Sequence, residues 1–108
     1  MQRALEIRGH GHRPTAQEAG AIEREVARLE AYYGCLLECR VVLSVPARHA
    51  NGEPRAWSFR VALGIPGGEL ALARPARSNF DLALRETFAA AARQLDDLLH
   101  EPQVGALR

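Results

Sequence analysis

Histidine, cysteine and arginine are the side chains of this 108-residue sequence best equipped for chemistry. His10 and His12 stand in "GHGH", where two imidazoles could begin a metal site, but no Cys-x-x-Cys or His-Glu-x-x-His spacing supplies the remaining ligands. A nucleophile built on Cys39 and a histidine would need a third group to orient the base, and the sequence names none. Cys35 and Cys39 stand in "CLLEC", the second of them in a strand. Residues four apart on a strand lie ~13 Å from each other, beyond disulfide reach, so two reduced structural thiols and a reducing compartment are expected. Acids cluster on the helical segments in solvent-facing positions, and "PGGE" is too short to cradle a phosphate. Catalysis, a bound metal, a cofactor and a small-molecule substrate are therefore not expected.

Arginine is more informative. All 14 basic residues are arginine, a choice that nucleotide composition bias alone would be enough to produce. The net charge of +1 gives no general licence for binding nucleic acid. Placement counts for more than the total. From Arg40 to Arg77 six arginines face two glutamates, a net of +4, whereas Thr15 to Tyr33 sums to −2 and Asn79 to Glu101 to −3. Guanidinium forks bind phosphate oxygens bidentately, so arginines collected on loops and a sheet face can form a phosphate-contacting edge. A merely soluble surface would show the same charges.

The elements that would position these arginines are legible from periodicity. "ALEIRG" reads as a first strand, with Leu5 and Ile7 on one face. "TAQE" reads as a capping box, and Ala19, Ile22, Val26, Leu29 and Tyr33 then mark an amphipathic helix ending at Gly34. "ECRVVLSV" is a second strand, which Pro46 is expected to stop, and "ARHANGEPR" a polar loop. In the next strand Trp57, Phe59, Val61, Leu63 and Ile65 alternate with Ser58, Arg60, Ala62 and Gly64. Pro66 and Gly67 suit the two corners of a type II turn, and Leu70 and Leu72 continue the apolar face on a fourth strand. After the basic loop "RPARSN", with a cap at Ser78 or Asn79, the residues Phe80, Leu84, Phe88, Ala91, Leu95 and Leu98 mark a second helix that Pro102 ends. One domain over residues 1–101 and a tail over 102–108 are expected. The order β-α-β-β-β-α predicts a two-layer α+β sandwich, with two helices on one face of a four-stranded sheet and the other face open. The absence of a ~20-residue apolar span or a basic, apolar leader predicts a cytoplasmic protein with no membrane partner.

Several motifs in this order resemble the ribosome hibernation-promoting factor family, also called ribosome-associated inhibitor or sigma-54 modulation proteins. They are "LEIRG", "ARLEAYYGCLLECRVVLSV", "IPGGELAL" and "ALRETFAAAARQLDD", spanning about residues 4 to 99, and the likeness is to the short-chain branch. The resemblance implies a fold similar to double-stranded-RNA-binding domains. It also implies a protein seated on the small ribosomal subunit and its rRNA, in the path of messenger and transfer RNA, holding the ribosome inactive in stress or stationary phase. Arg28 and Arg93 fall where the family carries basic residues on its two helices, and Arg85 matches the closer branch. With Arg48, Arg55, Arg74 and Arg77 from the basic stretch, they make up the expected rRNA-binding set. The sequence departs from the family at Asp81, where a tyrosine is usual, and in "DDLLHEP", where many members are lysine-rich. It shows neither the dimerisation domain nor the cold-shock domain of longer relatives, so it is not expected to pair ribosomes by itself. Two other readings stand beside this one: a family-shaped module that uses its open sheet face for protein contacts or weak homodimerisation, and a binder of some other structured RNA.

Overall fold

The computed structural model describes residues 4–100, and the expected helix end at Pro102 and the tail lie outside them. Strand β1 (Ala4–His10) leads into helix α1 (Ala16–Tyr33), followed by β2 (Glu38–Arg48), β3 (Pro54–Ile65), β4 (Gly68–Ala73) and helix α2 (Phe80–His100). The sheet order is β1-β2-β3-β4, with β1 parallel to β2 and the remaining pairs antiparallel. This is the expected α+β, β-α-β-β-β-α sandwich.

Local chemistry fixes the boundaries. The Thr15 hydroxyl accepts from the Glu18 amide and the Glu18 carboxylate accepts from the Thr15 amide, both at 3.0 Å, closing the capping box. At the other end of α1 the Gly34 amide donates to the Glu30 carbonyl at 2.7 Å. Asn79 caps α2, its side-chain oxygen accepting from the Leu82 amide at 2.9 Å. The β3–β4 turn places Gly67 at φ 89°, which the second corner of a type II turn requires and which side chains with a Cβ resist.

The alternation of β3 settles the two faces of the sheet. Phe59, Val61 and Leu63 are fully or almost fully buried with Cys39, Val41 and Leu43 of β2, beneath Ile22, Val26 and Leu29 of α1 and Leu84, Phe88 and Leu95 of α2. Thr87 joins this core by donating its hydroxyl proton to the Ala83 carbonyl at 2.8 Å, which satisfies it within its own helix. Leu98, expected on the buried stripe, is instead 45% exposed. The stripe outruns its cover, because α1 ends at Tyr33, which already meets α2 at Ala92 and Asp96.

Pro46 does not stop β2. Pairing jumps from Ser44↔Ser58 to Ala47↔Ala56, so Val45 and Pro46 together oppose Trp57, and the proline sits in a β-bulge where no ladder donor is needed. The strand continues to Arg48. Trp57 turns its backbone the other way and exchanges hydrogen bonds of 2.8 and 2.9 Å with Arg77. Its ring meets Phe80 edge-on with centroids 6.2 Å apart, and its indole N–H is buried without a hydrogen-bond partner among the described residues.

Candidate nucleic-acid interface

Strand directions decide where the arginines gather. Since β1 and β4 run the same way, both helices start at one end of the sheet, beside the tip of the β2–β3 hairpin. The loops and strand ends there, residues 11–15, 48–55 and 74–79, carry Arg13, Arg48, Arg55, Arg74 and Arg77 against a single acid, Glu53. The N-termini of α1 and α2 lie at the same end, each with a first-turn carboxylate, Glu18 and Asp81, against its partial positive charge.

These five side chains are held differently. Arg48 donates to the Gly52 carbonyl at 2.8 Å and to the Gly11 carbonyl at 2.6 Å, tying the hairpin tip to the β1–α1 loop. Its partners are neutral, so its charge stays uncompensated. Arg77 is committed to Glu86 at 2.7 Å. Arg55 is the extra residue of a second bulge, between the pairs Ala47↔Ala56 and Arg48↔Pro54, and it is exposed. Bulges of this kind re-aim a side chain away from the ladder. Arg55, Arg74 and Arg13 are all exposed and have no ion-pair partner among the described residues. His12, one of the two imidazoles of "GHGH", lies 2.9 Å from the Glu18 carboxylate and braces the capping box. Among the described residues no group of three or more potential ligands comes together.

The remaining expected residues lie on the helices. Arg28 of α1 and Arg85 of α2, 57 positions apart in sequence, line one groove of about 560 Å³ between the helices, with Leu29, Phe88 and Ala92 among its apolar walls. Arg28 leans toward Glu25 at 3.4 Å. Arg93 is exposed further along α2. The expected set thus falls into two places, the loop end (Arg48, Arg55, Arg74, Arg77) and the helix layer (Arg28, Arg85, Arg93). The sequence reading does not single out Arg13 or Tyr32. Tyr32 is 77% exposed on the groove, and its place one residue before the striped Tyr33 is the signal that turns it outward.

The open sheet face is different in kind. There Glu6, Glu38 and Glu69 match Arg8, Arg40 and Arg60 in number, with Arg8–Glu6 at 2.6 Å and Arg40–Glu69 at 2.7 Å, around a middle of Val42, Ala62 and Ala71. A face so balanced gives a polyanion little to hold.

A four-stranded sheet in this order, with β1 parallel to β2 and two helices on one face, defines a two-layer α+β domain with a basic loop end. Among solved structures the fold is shared by the N-terminal domain of Protein Y from Thermus thermophilus, with a TM-score of 0.73, 18% identity, and coverage of 90% of this chain and 99% of that one. A ribosomal subunit interface protein from Coxiella burnetii matches with a TM-score of 0.77 at 8% identity, covering 91% of this chain and 99% of that one. No protein-family model matches the sequence, and neither does any curated protein. No helix among the described residues is long and apolar enough to cross a membrane.

Proposed function

We propose that this chain is a ribosome-binding factor of the hibernation-promoting kind, docking on the rRNA of the small subunit and holding the ribosome inactive under stress without catalysing a reaction. One observation carries the reading. In a fold shared with Protein Y and with a subunit interface protein, four arginines without a carboxylate partner among the described residues, Arg13, Arg48, Arg55 and Arg74, stand together at one end, beside two helix N-termini. Arg13, Arg48, Arg55 and Arg74 supply phosphate contacts there, Arg77 does so after releasing Glu86, and Arg28, Arg85 and Arg93 extend the surface along the helices. Phosphate contacts of this type position a protein on RNA and make its affinity strongly salt-dependent.

Sucrose-gradient co-sedimentation of the purified protein with separated ribosomal subunits tests it. The protein is expected in the small-subunit fractions at low salt and to leave them as salt rises. Failure to travel with either subunit at low salt overturns the reading. A second reading, homodimerisation through the open sheet face, is favoured by the balanced charges of that face alone. Sedimentation equilibrium of the free protein decides it, a monomer at high concentration removing it.

A further inference from the structure

The groove between α1 and α2 is lined by features that a phosphate-contacting surface does not require. Its floor is apolar, from Leu29, Phe88, Ala89 and Ala92, and its volume of about 560 Å³ lies within the range of small-ligand clefts, about 300–1,000 Å³. At its rim Tyr32 is more exposed than any other large hydrophobic side chain described, 77%, and is braced edge-on against Tyr33 with ring centroids 4.9 Å apart. Tyr33 is itself anchored, its hydroxyl donating to the Ala92 carbonyl and to the Asp96 carboxylate. Arg28 and Arg85 enter from opposite helices.

An exposed aromatic ring beside guanidinium groups over an apolar floor is what an unpaired base needs: a face to stack on and a cation for the neighbouring phosphate. We infer that this groove receives a single extruded base of RNA, stacked on Tyr32, with its flanking phosphate held by Arg85 and Arg28. The inference rests on the reading that the chain binds RNA, and it names the part of the RNA that the helix layer takes. Glu25, turned to Arg28, and Asp96, accepting from Tyr33, make the groove a poor track for a run of phosphates, which selects one base rather than a strand laid along it. A duplex keeps its base faces stacked inside and cannot offer one.

The test uses the full chain labelled with nitrogen-15, and as probes a mixed-sequence single-stranded RNA hexamer and the same hexamer annealed to its complement. The single strand is expected to move the amide signals of Tyr32 and Ala89, with the duplex moving them far less. Tyr32→Ala, confirmed folded by its unchanged spectrum elsewhere, should weaken hexamer binding at least about fivefold, and Tyr32→Phe should keep it within about twofold because the stacking face survives. Groove signals that the hexamer leaves in place, that the duplex moves equally, or a Tyr32→Ala variant that binds as tightly, each overturn the inference. Co-sedimentation with small subunits, run in parallel, separates the two failures. Wild-type protein that travels with subunits while its groove signals ignore the hexamer refutes the base site alone. Groove binding without co-sedimentation upholds the base site and refutes the ribosomal reading.

Discussion

Tyr33 joins the two helices. Its phenol donates to the Ala92 carbonyl at 2.8 Å and to Asp96 at 3.0 Å, and burial, followed by that carboxylate, pushes its pKa up from 10.0 to about 12. Between those values the folded chain keeps a proton that the unfolded chain has lost, so this contribution to stability is complete below pH 10 and disappears as pH rises to about 12. Tyr33→Phe should lower stability at neutral pH by about 1 kcal/mol, typical of one hydrogen bond, and should flatten the alkaline decline. Urea melts of both forms between neutral pH and about pH 12 check the two effects together. Gly9 is a second sensitive position. A Cβ there would come within 1.7 Å of the His12 carbonyl oxygen, which is backbone and cannot step aside, so Gly9→Ala should be more destabilising than a substitution at exposed Gly68, where nothing lies within 4 Å. Comparing the two melts checks it.

At the scale of elements, β3 decides the register of the sheet. Phe59 is 1% exposed and meets Phe80 edge-on, whereas Arg60 points to the open face. Phe59→Ala should cost on the order of 3–5 kcal/mol and Arg60→Ala less than about 0.5, measured by urea unfolding, since one leaves a cavity and the other a solvated surface. The reverse order would mean a slipped strand, which exchanges the faces. Strong periodicity made β3, α1 and the Pro66–Gly67 turn legible in the sequence, because each is dictated by neighbours within a few residues. Pro46 misled for the same reason: locally it breaks a strand, and only the partner strand shows that it falls in a bulge. Leu98 fits the helical stripe, but what covers a stripe is decided by the other helix. The arginines divide likewise. Their gathering at the loop end follows from the order of elements, so Arg48, Arg55, Arg74 and Arg77 could be grouped from sequence. The meeting of Arg28 with Arg85 and the grip of Arg48 on two carbonyls depend on packing across the chain and leave no local trace.

The whole molecule is electrically lopsided. Among the described residues Arg13, Arg48, Arg55, Arg74 and Arg77 stand at the end where both helices start, against Glu18, Glu53 and Asp81, while Glu30, Glu38, Glu69, Asp96 and Asp97 outnumber Arg40 and Arg93 toward the other. Such a distribution orients the protein before contact and makes association, as well as affinity, sensitive to salt. Replacing Arg55 and Arg74 with glutamine removes two unpaired charges without touching an internal bond. In titrations against small subunits this should flatten the slope of log affinity against log salt by about two units, one per phosphate contact, with melting unchanged. At the opposite end Asp97→Lys leaves the Tyr33–Asp96 bond intact and suits a helix C-terminus. Stronger binding by this variant, most visible at low salt, is the expected result of the same titration; equal affinities would put that end of α2 away from the RNA. The wedge of Trp57 against Phe80 has an optical consequence. It is the sole tryptophan, it stands two residues along the chain from Arg55, its indole N–H has no hydrogen-bond partner among the described residues, and its backbone is paired to Arg77. The protein therefore carries its own emitter inside the basic end. Polyanions seated on the loops should change its emission, while ligands confined to the groove beside Tyr32 should leave the spectrum alone, so that one fluorescence titration reports which end of the molecule has been occupied.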